Sequence, residues 1–266
     1  MTASTEQTAA TDPSTTTELW YEPRLTLLAR PRFVEPTHLP VNWMGEATDG
    51  EQLAEYAGRL CYMSQKNPAN RTTRDYLENI KKQGHGSVLE HANYSILLEG
   101  VSRSLTHELV RHRAGWAFSQ RSQRYVDESE ASYVVPPAVI GDDALEAEWR
   151  RQIEEAQRVY VALVERLMAR YGWVADKVHR RKMAREAARS VLPNATETKI
   201  VVTANARAWR TMLELRSSEA AELEIRRLGV ALVRLLAAEA PAFFSDFEIY
   251  TAGDRVEAAR VGYHKV

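Results

Sequence analysis

Apolar positions along the chain recur with two periods. Between Glu51 and Tyr62 they fall at Leu53, Tyr56, Ala57 and Leu60, the three-to-four spacing of an amphipathic helix. Thr73 to Gln83 has the same character and stops at Gly84, a residue that closes helices readily. Ser102 to Arg111 repeats it, with Leu105, Leu109 and Val110 on one face. Asp142 to Tyr171 reads as a long charged helix in which Trp149, Ile153, Ala156, Tyr160, Leu163 and Leu167 step by three or four. Ala175 to Val191, ended by Leu192-Pro193, then Ala206 to Leu215 and the richly apolar Glu219 to Ala238, complete the helices. Shorter runs at Leu25 to Ala29, Asn93 to Gly100 and the β-branched Thr198 to Thr203 predict strands, and Val135-Pro136-Pro137 predicts a loop. No βαβ unit repeats and no domain boundary is visible. The expected class is α+β, a mixed sheet with long packed helices, as a single unit over residues 18–266.

Composition narrows what such a fold does. At 266 residues and 44% hydrophobic, the chain can bury a substantial core and reads as soluble and globular. With 35 basic and 36 acidic residues, its surface is not committed to nucleic acid or to an anionic membrane, so any anion site must be local. The single cysteine, Cys61, excludes an internal disulfide and offers no zinc-type spacing, in keeping with a reducing cytoplasm. No apolar run approaches the roughly 20 residues of a membrane helix. The first 17 residues, MTASTEQTAATDPSTTT, lack the basic start and apolar stretch of a secretion signal and read as a disordered, Thr-rich tail.

Three clusters carry candidate chemistry. In Arg111 to Tyr125, RHRAGWAFSQRSQRY, the basic residues Arg111, His112, Arg113, Arg121 and Arg124 are interleaved with Ser119, Gln120, Ser122 and Gln123. Arginine's planar fork suits phosphate, and Ser and Gln suit a sugar or base edge, so the mixture suits a nucleotide. Gly115 lets the backbone leave the helix and approach a ligand closely. The first three basic residues could equally offset the negative end of the preceding helix, but that does not account for the Ser-Gln-Arg run. Upstream lie His85, Ser87, Glu90 and His91, whose histidines, six apart, do not share a helix face as zinc ligands would. Downstream lie Arg189, Asn205, Arg207 and Arg216, each at the end of an expected element.

Together the clusters resemble the flavin-dependent thymidylate synthase family, ThyX, over about Ala54 to Phe247. The likeness rests on the triplet Arg111-His112-Arg113 followed by Ser122-Gln123-Arg124-Tyr125, with HGSVLEH, AREAARSVLPNATETK, TANARAW and ELRSSEAAELEIRR in the family's order. It implies a ThyX-like fold, a homotetramer with active sites at subunit interfaces, and conversion of dUMP to dTMP using FAD, NADPH and methylenetetrahydrofolate. By matched position, Cys61, Ser87, Glu90, Arg111, His112, Arg113, Ser119, Asn205, Arg207 and Thr211 would line the flavin. Glu108, Arg111, Gln120, Ser122, Arg124, Arg189, Leu215 and Arg216 would hold the nucleotide, with Glu108 reaching it from a neighbouring subunit. Arg216 would stabilise charge developing on uracil, Ser122 would position the nucleotide, and His85 would stand beside the isoalloxazine, where the folate also binds. A flavin route needs no cysteine nucleophile, and Ser122 has no His/Asp partner spacing that would activate it.

Two departures stand out. Eight residues, AGWAFSQR, separate Arg113 from Ser122 where the family usually has seven, and Ala220 stands where many relatives have histidine. The insertion is like that of the nucleoside-antibiotic branch, of the polyoxin type, which methylates UMP as well as dUMP, so the two nucleotides stay open as substrates. Rival classes are a nucleic-acid-binding module using the basic segment, and a metal-dependent hydrolase recruiting His85, His91, His107 and His112 with Glu90 or Glu108. Balanced charge counts against the first and irregular ligand spacing against the second, so neither nucleic acid, membrane nor metal is expected as a partner.

Overall fold

The structure, a computed structural model, describes residues 17–266; the tail expected over residues 1–17 lies outside the described residues apart from Thr17. In chain order the elements are β1 (Leu19–Trp20), β2 (Arg24–Ala29), α1 (Asp49–Cys61), α2 (Thr73–Lys82), a 3-10 turn (Gly86–His91), β3 (Asn93–Ser102), α3 (Arg103–Leu109), β4 (Trp116–Gln120) and β5 (Tyr133–Val134). There follow α4 (Asp143–Arg170), α5 (Lys177–Ala188), a 3-10 turn (Arg189–Val191), β6 (Glu197–Asn205), α6 (Ala206–Arg216), α7 (Leu223–Glu239), α8 (Pro241–Phe244), β7 (Phe247–Thr251) and β8 (Glu257–Val261).

Strict alternation builds the central sheet, whose order is β2-β3-β6-β4. Tyr94, Ile96 and Leu98 of β3 and Ile200, Val202 and Ala204 of β6 point to one face and are buried there. That face meets Trp209, Met212 and Leu213 of α6 and Ile225, Leu228, Leu232 and Leu236 of α7, all fully buried in the main core. Every pairing in this sheet is antiparallel, which corrects the expected mixed sheet; among the described residues only the two-residue β1–β5 ribbon is parallel. With no βαβ crossover among the described residues, nothing there brings long parallel strands side by side.

Caps decide several element ends that periodicity misjudged. The Asp176 side chain accepts from Val178 N (2.9 Å), so α5 starts at Lys177 rather than Ala175, and after Ala188 the chain tightens into the 3-10 turn. Glu222 caps α7 in the same way, accepting from Glu224 N (2.9 Å), which leaves Glu219 to Ala221 outside the helix. Helix α4, 28 residues long, buries only Ile153 and Tyr160 of its apolar stripe. Strand β4, the Gly86–His91 turn and the β7–β8 hairpin were not anticipated.

Candidate active site

The boundary between β6 and α6 sets one wall of the site. Asn205 has extended backbone and its Oδ1 accepts from Ala208 N (2.8 Å), so the helix starts with Arg207, Ala208 and Thr211 on the edge beside the cap. The opposite wall is the chain leaving α3. At Gly115 the backbone turns with φ +77°, and a Cβ there would lie 2.6 Å from Asn205 Nδ2. Between the walls opens a cleft of about 450 Å³ lined by Glu90, His112, Arg113, Gly115, Trp116, Asn205, Arg207, Ala208 and Thr211. Arg207 meets Glu90 at 2.6 Å and also lines a second cleft of about 360 Å³, with Cys61, Tyr62, Tyr76, His85 and Ser87. The two clefts therefore adjoin across Arg207.

Helix α3 organises the remaining charges at its two ends. At its C-terminal end, Arg216 of α6 donates from Nη1 to Glu108 Oε2 (2.7 Å) and from Nε to His112 Nε2 (3.2 Å). Burial, and then the positive charge of Arg216, lower the His112 pKa from its ordinary value. Leu215, beside Arg216, is exposed. At the other end of α3, Arg103 is half-buried, and its backbone N donates to Thr196 O (3.1 Å) in the loop that follows the Arg189 turn. Burial and then Glu128, Arg189 and Arg121 act on its pKa, with the net direction down. Neither Arg103 nor Arg189 has a side-chain partner among the described residues, whereas Arg121 is held by Glu128 and Glu197 (3.3 Å each).

The expected ligand segment is partly a strand. Trp116, Phe118 and Gln120 of β4 turn toward the core face, and Ala117 and Ser119 turn to the outer face, where they are exposed. Ser119 therefore does not share a cleft with Trp116 of the same chain. Gln120 Nε2 donates to Thr106 Oγ1 (3.2 Å) and Thr198 Oγ1 (3.3 Å). Ser122 opens a tight turn, its Oγ accepting from Arg124 N (3.4 Å), and Arg124 pairs with Glu186 of α5 (2.8 Å). Arg111 is exposed next to the cleft-lining His112. Of the residues singled out from sequence, one group thus meets at the two clefts and the Arg216 end of α3, and Ser119, Gln120, Ser122, Arg124 and Arg189 lie apart from it. Trp116, Tyr62, Tyr76 and Arg103 were missed. The W-A-F-S-Q alternation was the available signal for Trp116; nothing local distinguished Arg103 from a surface arginine. The ligand set of a metal-dependent hydrolase is not assembled, since among the described residues no three His, Cys, Asp or Glu side chains stand together.

The family model described as "Thymidylate synthase complementing protein" matches residues 44–242. The flavin-dependent thymidylate synthase of Mycobacteroides abscessus is 47% identical over 238 residues, covering 89% of this chain and 94% of that protein. The chain belongs to the flavin-dependent thymidylate synthase family. The synthase of Mycobacterium tuberculosis, 47% identical over 238 residues, matches equally well. A solved structure, the UMP/dUMP methylase PolB from Streptomyces cacaoi bound with 5-Br dUMP, is similar in fold, with a TM-score of 0.62 and 22% identity over 86% of this chain and 95% of that one. Membership in this family makes the chain a methyltransferase-type enzyme with a flavin cofactor. The residues present fit such a group. Two adjoining clefts offer length, Arg113 offers positive charge for a pyrophosphate, joined by Arg207 once it leaves Glu90, and Gly115 lets the backbone of one wall close on Asn205 and Ala208 of the other more tightly than a side chain would allow.

Proposed function

We propose that residues 18–266 form one catalytic domain that methylates C5 of a uracil nucleotide, dUMP to dTMP, with FAD as cofactor and NADPH and methylenetetrahydrofolate as co-substrates. The observation that carries this reading is the contact of Arg216 with His112, which links a cation held at the end of α3 to the wall of the Arg113–Arg207 cleft. Arg113, Asn205, Arg207 and Thr211 hold the flavin, which supplies the redox chemistry when bound. Arg216 faces the uracil, where its charge stabilises negative charge developing on the ring. Arg103 and Arg189, both unpartnered among the described residues, take the nucleotide phosphate together with Arg124, which must leave Glu186 to do so. Gln120 and Ser122 orient the sugar, and no serine or cysteine nucleophile takes part: among the described residues Ser122 Oγ touches only a backbone amide, and Cys61 Sγ only the Ala57 carbonyl.

UMP is the alternative substrate, because the stretch between Arg113 and Ser122, one residue longer than the family usually has, runs through Gly115 and Trp116 in the cleft wall. UMP and dUMP differ by one hydroxyl, which a single polar contact or clash can discriminate. Steady-state assays of flavin-loaded enzyme with each nucleotide, methylenetetrahydrofolate and NADPH test the reading. Turnover of dUMP to dTMP is expected; turnover of UMP alone, or a protein that takes up no flavin, overturns it. We further infer a homotetramer with shared sites, supported by the half-exposed stripe of α4 and the outward position of Ser119.

A further inference from the structure

We propose that His112 is a positioning residue: a neutral imidazole protonated on Nδ1, whose Nε2 lone pair fixes the Arg216 guanidinium and whose Nδ1–H is left for a ligand of the cleft. This rests on the flavin-and-nucleotide reading above and adds to it a specific link between the two binding regions.

An arginine Nε–H has no lone pair to offer, so at 3.2 Å the acceptor must be His112 Nε2. An imidazolium or the Nε2–H tautomer would place a proton against a proton. The neutral ring therefore carries its proton on Nδ1, an atom without a partner among the described residues, and the ring itself lines the cleft. Burial and the charge of Arg216 both disfavour the imidazolium, consistent with this state; Glu108 is the acid facing Arg216 from α3, and it bonds the guanidinium rather than the ring.

Spacing and packing make the arrangement rigid. Glu108 and His112 are four residues apart at the end of α3 and grip one guanidinium by two different nitrogens, Nη1 and Nε. Nη2 makes no hydrogen bond among the described residues and is the edge left to meet a ligand. Behind the imidazole stands Trp116, with ring centroids 5.8 Å apart, and behind Trp116 the fully buried Trp209, 4.6 Å away and nearly edge-on. Arg216 is thus braced against the core through two aromatic layers. A cation meant to meet charge developing on a substrate ring gains from being held in place beforehand.

Nitrogen-15 NMR of histidine-labelled, flavin-loaded enzyme at pH 7 reads the tautomer directly, with His112 identified among the seven histidines by substituting the others. An Nδ1–H signal is expected; an Nε2–H ring or an imidazolium overturns the proposal. In Arg216→Leu the same ring should revert to Nε2–H, the form favoured in water, and an unmoved tautomer overturns it as well. Kinetically, His112→Phe should lower kcat about 100-fold with flavin absorbance retained. His112→Gln, whose Oε1 can accept from Nε, should recover about tenfold of that loss; equal loss in both variants overturns the positioning role. The NMR result does not depend on turnover, so failure of uracil methylation and failure of the His112 link are separately visible.

Discussion

Gly115 is where residue chemistry and site geometry meet most tightly. Its φ of +77° is a conformation that costs an L side chain about 1–2 kcal/mol, and a Cβ would press on Asn205 Nδ2 at 2.6 Å. Gly115→Ala should therefore lower thermal stability by about that amount and weaken FAD binding, measured by titrating apoenzyme with flavin; unchanged affinity would separate this turn from the cofactor. Cys61 makes the opposite case. Exposed, and with only the Ala57 carbonyl as a partner among the described residues, it has no hydrogen-bonded base there, and Cys61→Ser should keep both flavin and turnover. His112 adds a pH dependence. Its native pKa lies below the 6.5 of the free side chain, so between the two values the unfolded chain binds a proton that the native site refuses. The stability it contributes is complete above about pH 6.5 and is lost as pH falls through that window. Denaturant midpoints from pH 7 to pH 5 should drop less in His112→Gln than in the wild type.

At the scale of elements, the helices were largely legible, because their apolar stripes face a core and their ends carry caps. What escaped reading were short segments whose placement is decided by distant partners. The side-chain chemistry of Arg111 to Tyr125 points to a ligand and says nothing of a strand, yet the period-two alternation of Trp116–Gln120 puts Trp116 and Phe118 on the core face and makes it an edge strand along β6. The β7–β8 hairpin was hidden because an ion cluster ties it in. Asp246, just ahead of β7, takes Arg210 of α6 on both oxygens (2.6 and 2.9 Å) and Lys81 of α2 (2.8 Å). Burial alone would raise the Asp246 pKa, but Arg210 and Lys81 outweigh it and hold the carboxyl below its ordinary value. Asp246→Asn leaves two nearly buried cations uncompensated and should cost about 3–5 kcal/mol, read from denaturant unfolding. A loss under about 1 kcal/mol would mean that water reaches the cluster and screens it.

At the scale of the whole molecule, the arrangement of the site in one chain is itself informative. Helix α3 is seven residues long, so its two charged ends stand roughly 10 Å apart at 1.5 Å per residue. The Arg103–Arg189 end and the Arg216 end can therefore serve one nucleotide or two neighbouring ones. Strand β4 argues for sharing. Trp116 lines the cleft of its own chain, whereas Ser119, three residues on, projects from the other face of the sheet. If Ser119 contacts flavin as the family resemblance implies, the flavin belongs to another copy, and the outer sheet face is where that copy docks. Coexpression decides this. Ser119→Trp should obstruct only the partner's cleft and Arg216→Leu should disable only the site that uses that arginine, so each variant alone is inactive. Hybrids containing both should regain a fraction of wild-type turnover, because some shared sites then receive an intact Ser119 from one chain and an intact Arg216 from the other. Light scattering should give the mass of four chains for the wild type and for the hybrids. Hybrids of that mass with no recovered activity would confine each site to a single chain, and a fully active monomer would remove the shared-site reading altogether.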